Sequence, residues 1–185
     1  MIRIIAGKYK GRKLKVPTGL GIRPSSDKLR EGLFNMLYSL ADFGNMIFLD
    51  LYAGTGALGL EALSRGAKKV IFIEASRKNM SVLKQNIESL SLEKKCFELT
   101  QDSSVHWISE FADPGHPCIV FLDPPFSKNE YELVLNKLTT LPSIRAGSLI
   151  VVESNKAREI LFPETLSLLK QRRYGSVSLD ILLKQ

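Results

Sequence analysis

The sequence is poor in the residues that mark secreted, metal-binding and membrane-spanning proteins. Its 185 residues include two cysteines, Cys96 and Cys118, which form neither a disulfide framework nor a zinc-binding pattern. Apolar runs are short as well, and the longest, such as CIVFL at 118–122, cannot span a bilayer as a helix. The composition therefore argues against a disulfide scaffold and a helical membrane protein, and no metal site is expected.

The first residues also lack a targeting segment. MIRIIAGKYKGRK has neither an apolar stretch of signal-peptide length nor a small-residue cleavage site, so we expect a cytoplasmic protein. With 44% hydrophobic and 24% charged residues, the chain has the composition of a folded domain rather than a disordered one. Its length fits a single domain, with an N-terminal arm and loop at residues 1–25 and the main body at residues 26–185.

Positive charge is concentrated at the N-terminus. Residues 1–30 hold nine cations against the single acid Asp27, a net charge of +8, whereas the remaining residues sum to −1. This asymmetry favours a polyanionic partner, nucleic acid before an anionic membrane, over a merely solvated tail. The residues to which we assign RNA phosphate contacts are Arg3, Lys8, Lys10, Arg12, Lys13, Lys15 and Arg23.

The basic arm has a pattern of its own. RIIA (3–6) and RKLKV (12–16) are typical of two strands, joined by a loop with glycines at both ends. A helix is predicted to follow, capped by Ser25 or Ser26, with leucines spaced along one face.

From residue 46 onward, apolar runs alternate with helical segments. The predicted strands are MIFLDL (46–51), KVIFIE (69–74), CFELTQ (96–101), CIVFLD (118–123) and SLIVVE (148–153). The predicted helices lie near 57–65, 77–91, 103–111 and 129–140. Such alternation indicates an α/β fold with a mostly parallel sheet covered by helices on both faces. Two further strand-like runs around Tyr174–Gly175–Ser176 predict an antiparallel hairpin at the C-terminus.

The residues at the strand ends suggest a nucleoside cofactor, since ligands of open α/β sheets bind at the carboxyl ends of the strands. The first strand ends on Asp50. The second ends on Glu74, and we expect the Glu74 carboxylate to accept hydrogen bonds from ribose hydroxyls. The third leads to Asp102, which suits an adenine amino group. The glycine-rich loop DLYAGTGALG contributes Gly54, Thr55, Gly56 and Gly59, where glycines allow a tight turn and a close approach of the ligand to the backbone.

The glycine spacing by itself fits NAD as well as other adenosine cofactors. Two features favour S-adenosylmethionine. Asp50 would repel a pyrophosphate but suits a sulfonium and an ammonium group. The fourth strand runs into Asp123, Pro124, Pro125 and Phe126, a quartet for which hydride transfer has no use.

The DPPF quartet suits methylation of an exocyclic amine on a base. Such a nitrogen must become tetrahedral to attack a methyl group, and acceptors aimed at its hydrogens favour this change. The Asp123 carboxylate and the Pro124 carbonyl offer two acceptors. The two prolines fix the backbone, and Phe126 offers a ring on which the base stacks. The alternative is a proline-rich turn after a core strand.

With these motifs, the chain resembles the bacterial small-subunit ribosomal RNA (guanine-N2)-methyltransferases of the RsmD type. The segments that carry the resemblance are RIIAGKYKGRKLKVP, IRPSSDKLREGLFNML, DLYAGTGALGLEALSRGA, VIFIEAS, FLDPPF and VVES. The resemblance implies the seven-stranded class I methyltransferase (Rossmann-like) sheet with an N-terminal basic hairpin extension. It also implies S-adenosylmethionine as cofactor and N2-methylguanine in 16S ribosomal RNA as product.

Other assignments remain open at the level of the sequence. Arg23, Arg30 and Glu31 flank a helix whose N-terminus could close over the cofactor, where a cation would meet its carboxylate. Arg30 and Glu31 are also explained as ordinary helix-surface charges. His106 is interpreted as structural. We expect a monomer that acts on small-subunit ribosomal RNA or its particle. The alternatives are another RNA or DNA amino-methyltransferase, and a non-catalytic RNA-binding factor of ribosome assembly.

Overall fold

The computed structural model describes residues 2–17, 26–112, 114–125 and 130–185. Arg23 and Phe126, both predicted site residues, lie outside the described residues. The strands are β1 (Ile2–Arg3), β2 (Lys13–Leu14), β3 (Ile47–Asp50), β4 (Lys69–Ile73), β5 (Phe97–Thr100), β6 (Cys118–Leu122), β7 (Leu149–Asn155), β8 (Leu166–Tyr174) and β9 (Val177–Lys184). The helices are α1 (Asp27–Tyr38), α2 (Ala57–Ser64), α3 (Arg77–Ser89), α4 (Ser104–Glu110) and α5 (Tyr131–Thr140).

The main sheet has seven strands in the order β5-β4-β3-β6-β7-β9-β8. The pairs from β5 to β7 are parallel, and β9 is antiparallel to both β7 and β8. The prediction of a mostly parallel sheet with a C-terminal antiparallel hairpin is confirmed. The strand order reverses between β3 and β6, which places the ends of these two strands at the switch point where such sheets bind ligands.

Apolar side chains cover both faces of the sheet because its central strands β3, β4 and β6 are apolar at nearly every position. One core contains Phe48, Phe72 and Phe121 and is covered by α1, α2 and α3. The other contains Leu49, Val120 and Ile150 and is covered by α4 and α5. Burial on both sides fixes the strands rigidly and thereby fixes the loops at their carboxyl ends.

The N-terminal hairpin is shorter than its sequence pattern predicts. β1 and β2 pair over two residues each, because Ile5 and Ala6 donate their backbone N–H groups to the Glu61 carboxylate of α2 instead of to the opposite strand. Ile2, Ile4 and Leu14 are buried in the core under α1 and α2. The arm therefore packs firmly against the body of the protein.

In the part of the chain that the structure describes, no helix is both long and apolar enough to cross a membrane.

Candidate active site

Asp50 lies at the carboxyl end of β3 and is almost fully buried. Its Oδ2 accepts a hydrogen bond of 3.1 Å from the backbone N–H of Gly59 in α2. Burial raises the pKa of Asp50 to about 7, the Gly59 N–H opposes that shift, and the charge of Glu74 adds to it. A nearby cationic group would therefore strongly stabilise the charged form of this carboxylate.

The loop between β3 and α2 depends on its glycines. Gly54 and Gly56 have positive φ values of 54° and 81°, which side chains rarely allow. A Cβ atom at Gly56 would lie 2.4 Å from Cδ1 of Leu83. At Gly54, however, the nearest atom to a built Cβ is the Tyr52 carbonyl oxygen at 3.9 Å, so the loop has open space beside it.

Thr55 is buried between these two glycines. Its carbonyl accepts a hydrogen bond of 2.9 Å from Nδ2 of Asn86 in α3. Oδ1 of Asn86 accepts from the backbone N–H of Lys15 in the arm at 2.8 Å. One buried amide therefore connects the glycine loop to the arm, a connection that the sequence pattern did not indicate.

Glu74 follows β4 and is 9% exposed. Its Oε2 accepts from the Gly54 N–H at 2.8 Å, and its Oε1 accepts from the Ser76 N–H at 2.7 Å. Each carboxylate oxygen keeps a further lone pair, so Glu74 can still accept from ribose hydroxyls while it holds the glycine loop. Its assignment to the ribose stays a prediction.

Asp102 lies beyond β5 and is partly exposed. It accepts from the Ser103 N–H at 2.6 Å, and its Oδ2 lies 2.6 Å from Nδ1 of His106. The His106 contact lowers the pKa of Asp102, and Asp102 raises the pKa of His106. His106 is thus an ion-pair partner of a predicted cofactor residue, a role that its interpretation as merely structural missed.

Asp123 and Pro124 follow β6 directly, beside the end of β3. Pro124 is buried, Asp123 is half-buried and Pro125 is exposed. Burial raises the pKa of Asp123 well above its ordinary value, and the negative charges of Glu153 and Asp50 raise it further. Phe126, the fourth member of the predicted quartet, lies outside the described residues.

Glu153 in β7 was missed as a site residue. Leu122 of β6 pairs with Val152 of β7. The residues that follow them, Asp123 and Glu153, are therefore neighbours at the carboxyl edge. Glu153 is 7% exposed. The rule that located Asp50 and Glu74, an acid at the end of a parallel strand, applies equally to the VVES segment and could have found it.

Arg30 is a buried residue of α1, with 1% exposure, and is therefore not an ordinary surface charge. Its Nη2 donates to the Arg3 carbonyl at 2.7 Å and lies 2.9 Å from Asp27 Oδ1. Burial lowers the pKa of Arg30, and the charges of Asp27, Glu61 and Glu153 oppose that shift. Arg30 thus connects α1 to the arm, and its contact with the cofactor stays a prediction.

The basic residues of the arm are exposed, as contacts with a polyanion require. Three of them also have partners within the protein: Arg3 pairs with Asp27 at 2.9 Å, and Nζ of Lys15 donates to Gln85 at 2.9 Å. The side chain of Arg12 donates to the Ser89 carbonyl. The exposed basic positions of the described arm are Arg3, Lys8, Lys10, Arg12, Lys13 and Lys15.

The described residues contain no group of three or more His, Cys, Asp or Glu side chains arranged to hold a metal ion. The carboxylates at the ends of β3, β4 and β6 instead fit an organic ligand that carries hydroxyl groups and positive charge. The open space beside Gly54 provides room for its approach. These residues fit the predicted cofactor, S-adenosylmethionine.

Comparison with known proteins agrees with this arrangement. Residues 2–183 match the family model described as conserved hypothetical protein 95. The chain is 38% identical over 177 residues to the ribosomal RNA small subunit methyltransferase D of Haemophilus influenzae, covering 96% of this chain and 91% of the relative.

Solved structures share the fold. The Escherichia coli protein yhhF superposes with a TM-score of 0.83 at 36% identity, over 100% of this chain and 98% of that one. The protein SMU.776, solved in complex with SAH, superposes with a TM-score of 0.68 at 15% identity, over 88% of this chain and 50% of that one. At that identity the second likeness supports the fold alone.

Proposed function

Since the chain belongs to the family of ribosomal RNA small subunit methyltransferase D, we propose that it methylates the exocyclic N2 amine of a guanine in small-subunit ribosomal RNA. The cofactor in this proposal is S-adenosylmethionine, which supplies an electrophilic methyl group when bound. The buried Asp50 and the Glu74 carboxylate beside the glycine loop, which suit a ligand with positive charge and hydroxyl groups, support this choice.

The observation that carries the proposal is the closeness of Asp123 to Asp50 across the β3–β6 switch point. Asp50 pairs in register with Phe121, and its charge acts on Asp123. The group that would attract a cationic methyl donor therefore lies beside the group that would accept hydrogen bonds from an amine. Methyl transfer to nitrogen requires this proximity of donor and acceptor.

Each residue has a defined task in this scheme. Glu74 binds the ribose and Asp102 the adenine amino group, while Asp50 faces the positively charged end of the cofactor. The Asp123 carboxylate and the Pro124 carbonyl accept hydrogen bonds from the N2 amine, which favours the tetrahedral nitrogen and stabilises its developing positive charge. When the new N–C bond has formed, the amine loses a proton, and Asp123 is the acceptor nearest to it in this scheme.

The test is methyl transfer to small subunits from cells that lack this modification, followed by mass spectrometry of the nucleosides. N2-methylguanosine in the small-subunit RNA is the expected product. A methylated adenosine, or methylation of DNA only, would replace the substrate assignment. Cofactor binding without methyl transfer to any ribosomal RNA would instead favour a non-catalytic factor of ribosome assembly.

A further inference from the structure

The body of the protein is not uniformly neutral. Residues 31–155 contain 11 cations and 15 acids, a net charge of −4, whereas residues 156–173 contain five cations and two acids, a net charge of +3. The net charge of −1 beyond residue 30 therefore hides a second basic region. It lies in the segment between β7 and β8 and in β8 itself.

Three cations around the tip of the C-terminal hairpin form what we call the hairpin patch: Lys156, Arg172 and Arg173. Lys156 and Arg173 lie on one face of the sheet, and Arg172, the neighbour of Arg173 in the edge strand β8, lies on the other. All three are exposed, and within the described ranges none of them forms an ion pair with an acid. The other two cations of the region have structural contacts, since Arg158 lies 4.7 Å above the Tyr131 ring and Lys170 donates to Ser39, directly after α1. The charges of the hairpin patch are thus available to a partner.

The hairpin patch lies at the same edge of the sheet as the candidate active site. β7 ends at this edge, and the backbone N–H of Lys156 donates to the Ser176 carbonyl in the turn between β8 and β9 at 2.8 Å. Since β8 is antiparallel to β9 and β9 to β7, this turn lies at the carboxyl edge. Arg172 and Arg173 are close to it, in register with Leu179 and Ser178.

The surface beside the hairpin patch contains a largely polar cavity. Lys156 and Arg173 border a cavity of about 190 Å³ whose other lining residues include Ser154, Ser178 and Asp180. At about 30 Å³ per water molecule, it has room for roughly six. Asp180 is held by Gln171 at 2.6 Å and by Ser178 at 3.2 Å. The lining of the cavity contains three cations and two acids, and exposed cations of this kind are typical of contacts with nucleic-acid phosphates.

The arm and the hairpin patch lie on opposite sides of Asp123. The arm is anchored on Glu61 and Ser64 of α2, which packs on β3 and β4. The two arginines of the hairpin patch lie in β8, three strands beyond β6 in the other direction, roughly 14 Å away at about 4.8 Å per strand, and Lys156 follows β7, the strand next to β6. The acidic loops of the candidate site are therefore flanked by two basic surfaces.

We propose that Lys156, Arg172 and Arg173 are a second phosphate-binding surface for the RNA substrate, on the side of the active site opposite the arm. The identity of the partner as RNA rests on the proposed function. Contacts on both sides of the target nucleotide would hold the flanking backbone in place. The target base could then leave its stack and enter the site, as enzymes that modify bases require.

The test compares two triple variants that lose the same charge. One carries Lys156→Gln, Arg172→Gln and Arg173→Gln; the control carries Lys68→Gln, Lys94→Gln and Lys95→Gln at the opposite, amino edge of the sheet. The probe is unmodified small-subunit ribosomal RNA transcribed in vitro. Its affinity is measured at several salt concentrations, because each lost phosphate contact reduces the slope of log K against log salt by about 0.7 to 0.9.

We expect the hairpin variant to reduce the slope by about two and to raise the KM for RNA, with cofactor affinity and melting temperature unchanged. The control variant should change the slope much less. Equal slopes in the two variants, or a wild-type slope in the hairpin variant, would overturn the inference. A membrane partner would also overturn the inference. In that case the wild type would bind vesicles of equal parts phosphatidylcholine and phosphatidylglycerol, the hairpin variant would not, and the salt slope for RNA would be the same in both.

Methyl transfer by the wild-type protein, measured on the same preparations, separates this inference from the proposed function. If the wild type methylates the RNA but the hairpin variant keeps its slope, only the second surface is wrong. If the wild type binds but does not methylate the RNA, the proposed function is wrong, and the slopes still decide whether the hairpin patch binds phosphates.

Discussion

Asp123 and Glu153 are neighbours at the carboxyl ends of the paired parallel strands β6 and β7. Two carboxylates that are both withdrawn from water repel each other, and the charge of Glu153 raises the pKa of Asp123. This relationship has a direct consequence for the proposed chemistry. Asp123 accepts a hydrogen bond from an amine fully only after it has lost its proton, so Glu153 influences the pH at which the site becomes competent.

The first prediction concerns the pH dependence that this pair creates. Methyl transfer by the wild-type protein should increase with pH as Asp123 loses its proton. Glu153→Gln removes the neighbouring negative charge and should therefore lower the pKa of Asp123 and move this increase to lower pH. Single-turnover rates across the pH range give the profile. A merely structural role of Glu153 would lower the rate at every pH and leave the midpoint unchanged.

A second prediction concerns Asp123 itself. Asp123→Asn should reduce the methyl-transfer rate by about a hundred- to a thousandfold, the typical effect of removing one preorganised electrostatic partner. Cofactor affinity and the melting temperature at neutral pH should not fall, because the substitution removes a carboxyl group whose ionisation is opposed by partial burial and by the charges of Glu153 and Asp50. Glu164→Gln in an exposed loop is a suitable control. If Asp123→Asn is stable, binds cofactor and transfers methyl groups at a near-normal rate, the proposed role of the DPPF segment is wrong.

The third prediction tests the cofactor assignments. Glu74→Ala should weaken S-adenosylmethionine binding by about 1–3 kcal/mol, the cost of losing hydrogen bonds to a charged group. Asp102→Ala should have a smaller effect, because this carboxylate is exposed and makes one contact with the adenine. Calorimetric titration measures both. Glu88→Ala, which removes an exposed acid of α3, should bind the cofactor like the wild type, and equal affinities for Glu74→Ala and Glu88→Ala would contradict the ribose assignment.

Most of the sheet could be predicted from the sequence because its strands carry local signals. β3 to β6 lie within one or two residues of the predicted runs, since each apolar strand is followed by a helix of distinct period. The position of β9 between β7 and β8 could not be predicted. A turn at Gly175 indicates that the two strands beside it pair with each other. Which of the two also pairs with β7 depends on contacts between residues that are far apart in the sequence.

The burial of charged side chains in and around the site was the feature hardest to predict from the sequence. Glu61 and Arg30 have helix positions that suit a solvated surface, and nothing in their spacing indicates burial. Glu61 is buried because the arm needs an acceptor for its Ile5 and Ala6 N–H groups, and Arg30 because it donates to the Arg3 carbonyl. Both depend on the docking of the arm, a tertiary contact without a local pattern. The positions of Asp50 and Glu74 at the ends of β3 and β4 could be predicted because strand ends are marked in the sequence.

The fourth prediction concerns the glycine loop. Gly56→Ala should destabilise the protein more than Gly66→Ala, although both positions have positive φ, 81° and 99°. At Gly66 a Cβ would meet no atom within 4 Å, whereas at Gly56 it would overlap with Leu83. The backbone strain is expected to cost about 1–3 kcal/mol in each case, and the overlap adds to it at Gly56 alone. Urea denaturation of the two variants measures the difference, and equal losses would show that Leu83 moves away freely.

The last prediction follows from the burial of Asp50, whose pKa is raised to about 7. Between its ordinary pKa of about 4 and pH 7, the folded protein retains a proton that the unfolded chain has lost. The free energy of unfolding should therefore fall as the pH rises through this interval and level off above it.

Asp50→Asn is the variant that tests this dependence. The asparagine cannot ionise but keeps an oxygen that accepts from the Gly59 N–H. The pH-dependent decrease in the free energy of unfolding that Asp50 causes should therefore be absent in this variant. Relative to the wild type it should gain up to about 4 kcal/mol between pH 4 and pH 8, at about 1.4 kcal/mol per pKa unit. Leu135→Val, which shortens a buried side chain without changing any charge, should lower the free energy of unfolding by the same amount at every pH. Urea denaturation across the pH range gives all three curves, and an Asp50→Asn curve parallel to that of the wild type would show that Asp50 is ionised in the folded protein throughout this interval.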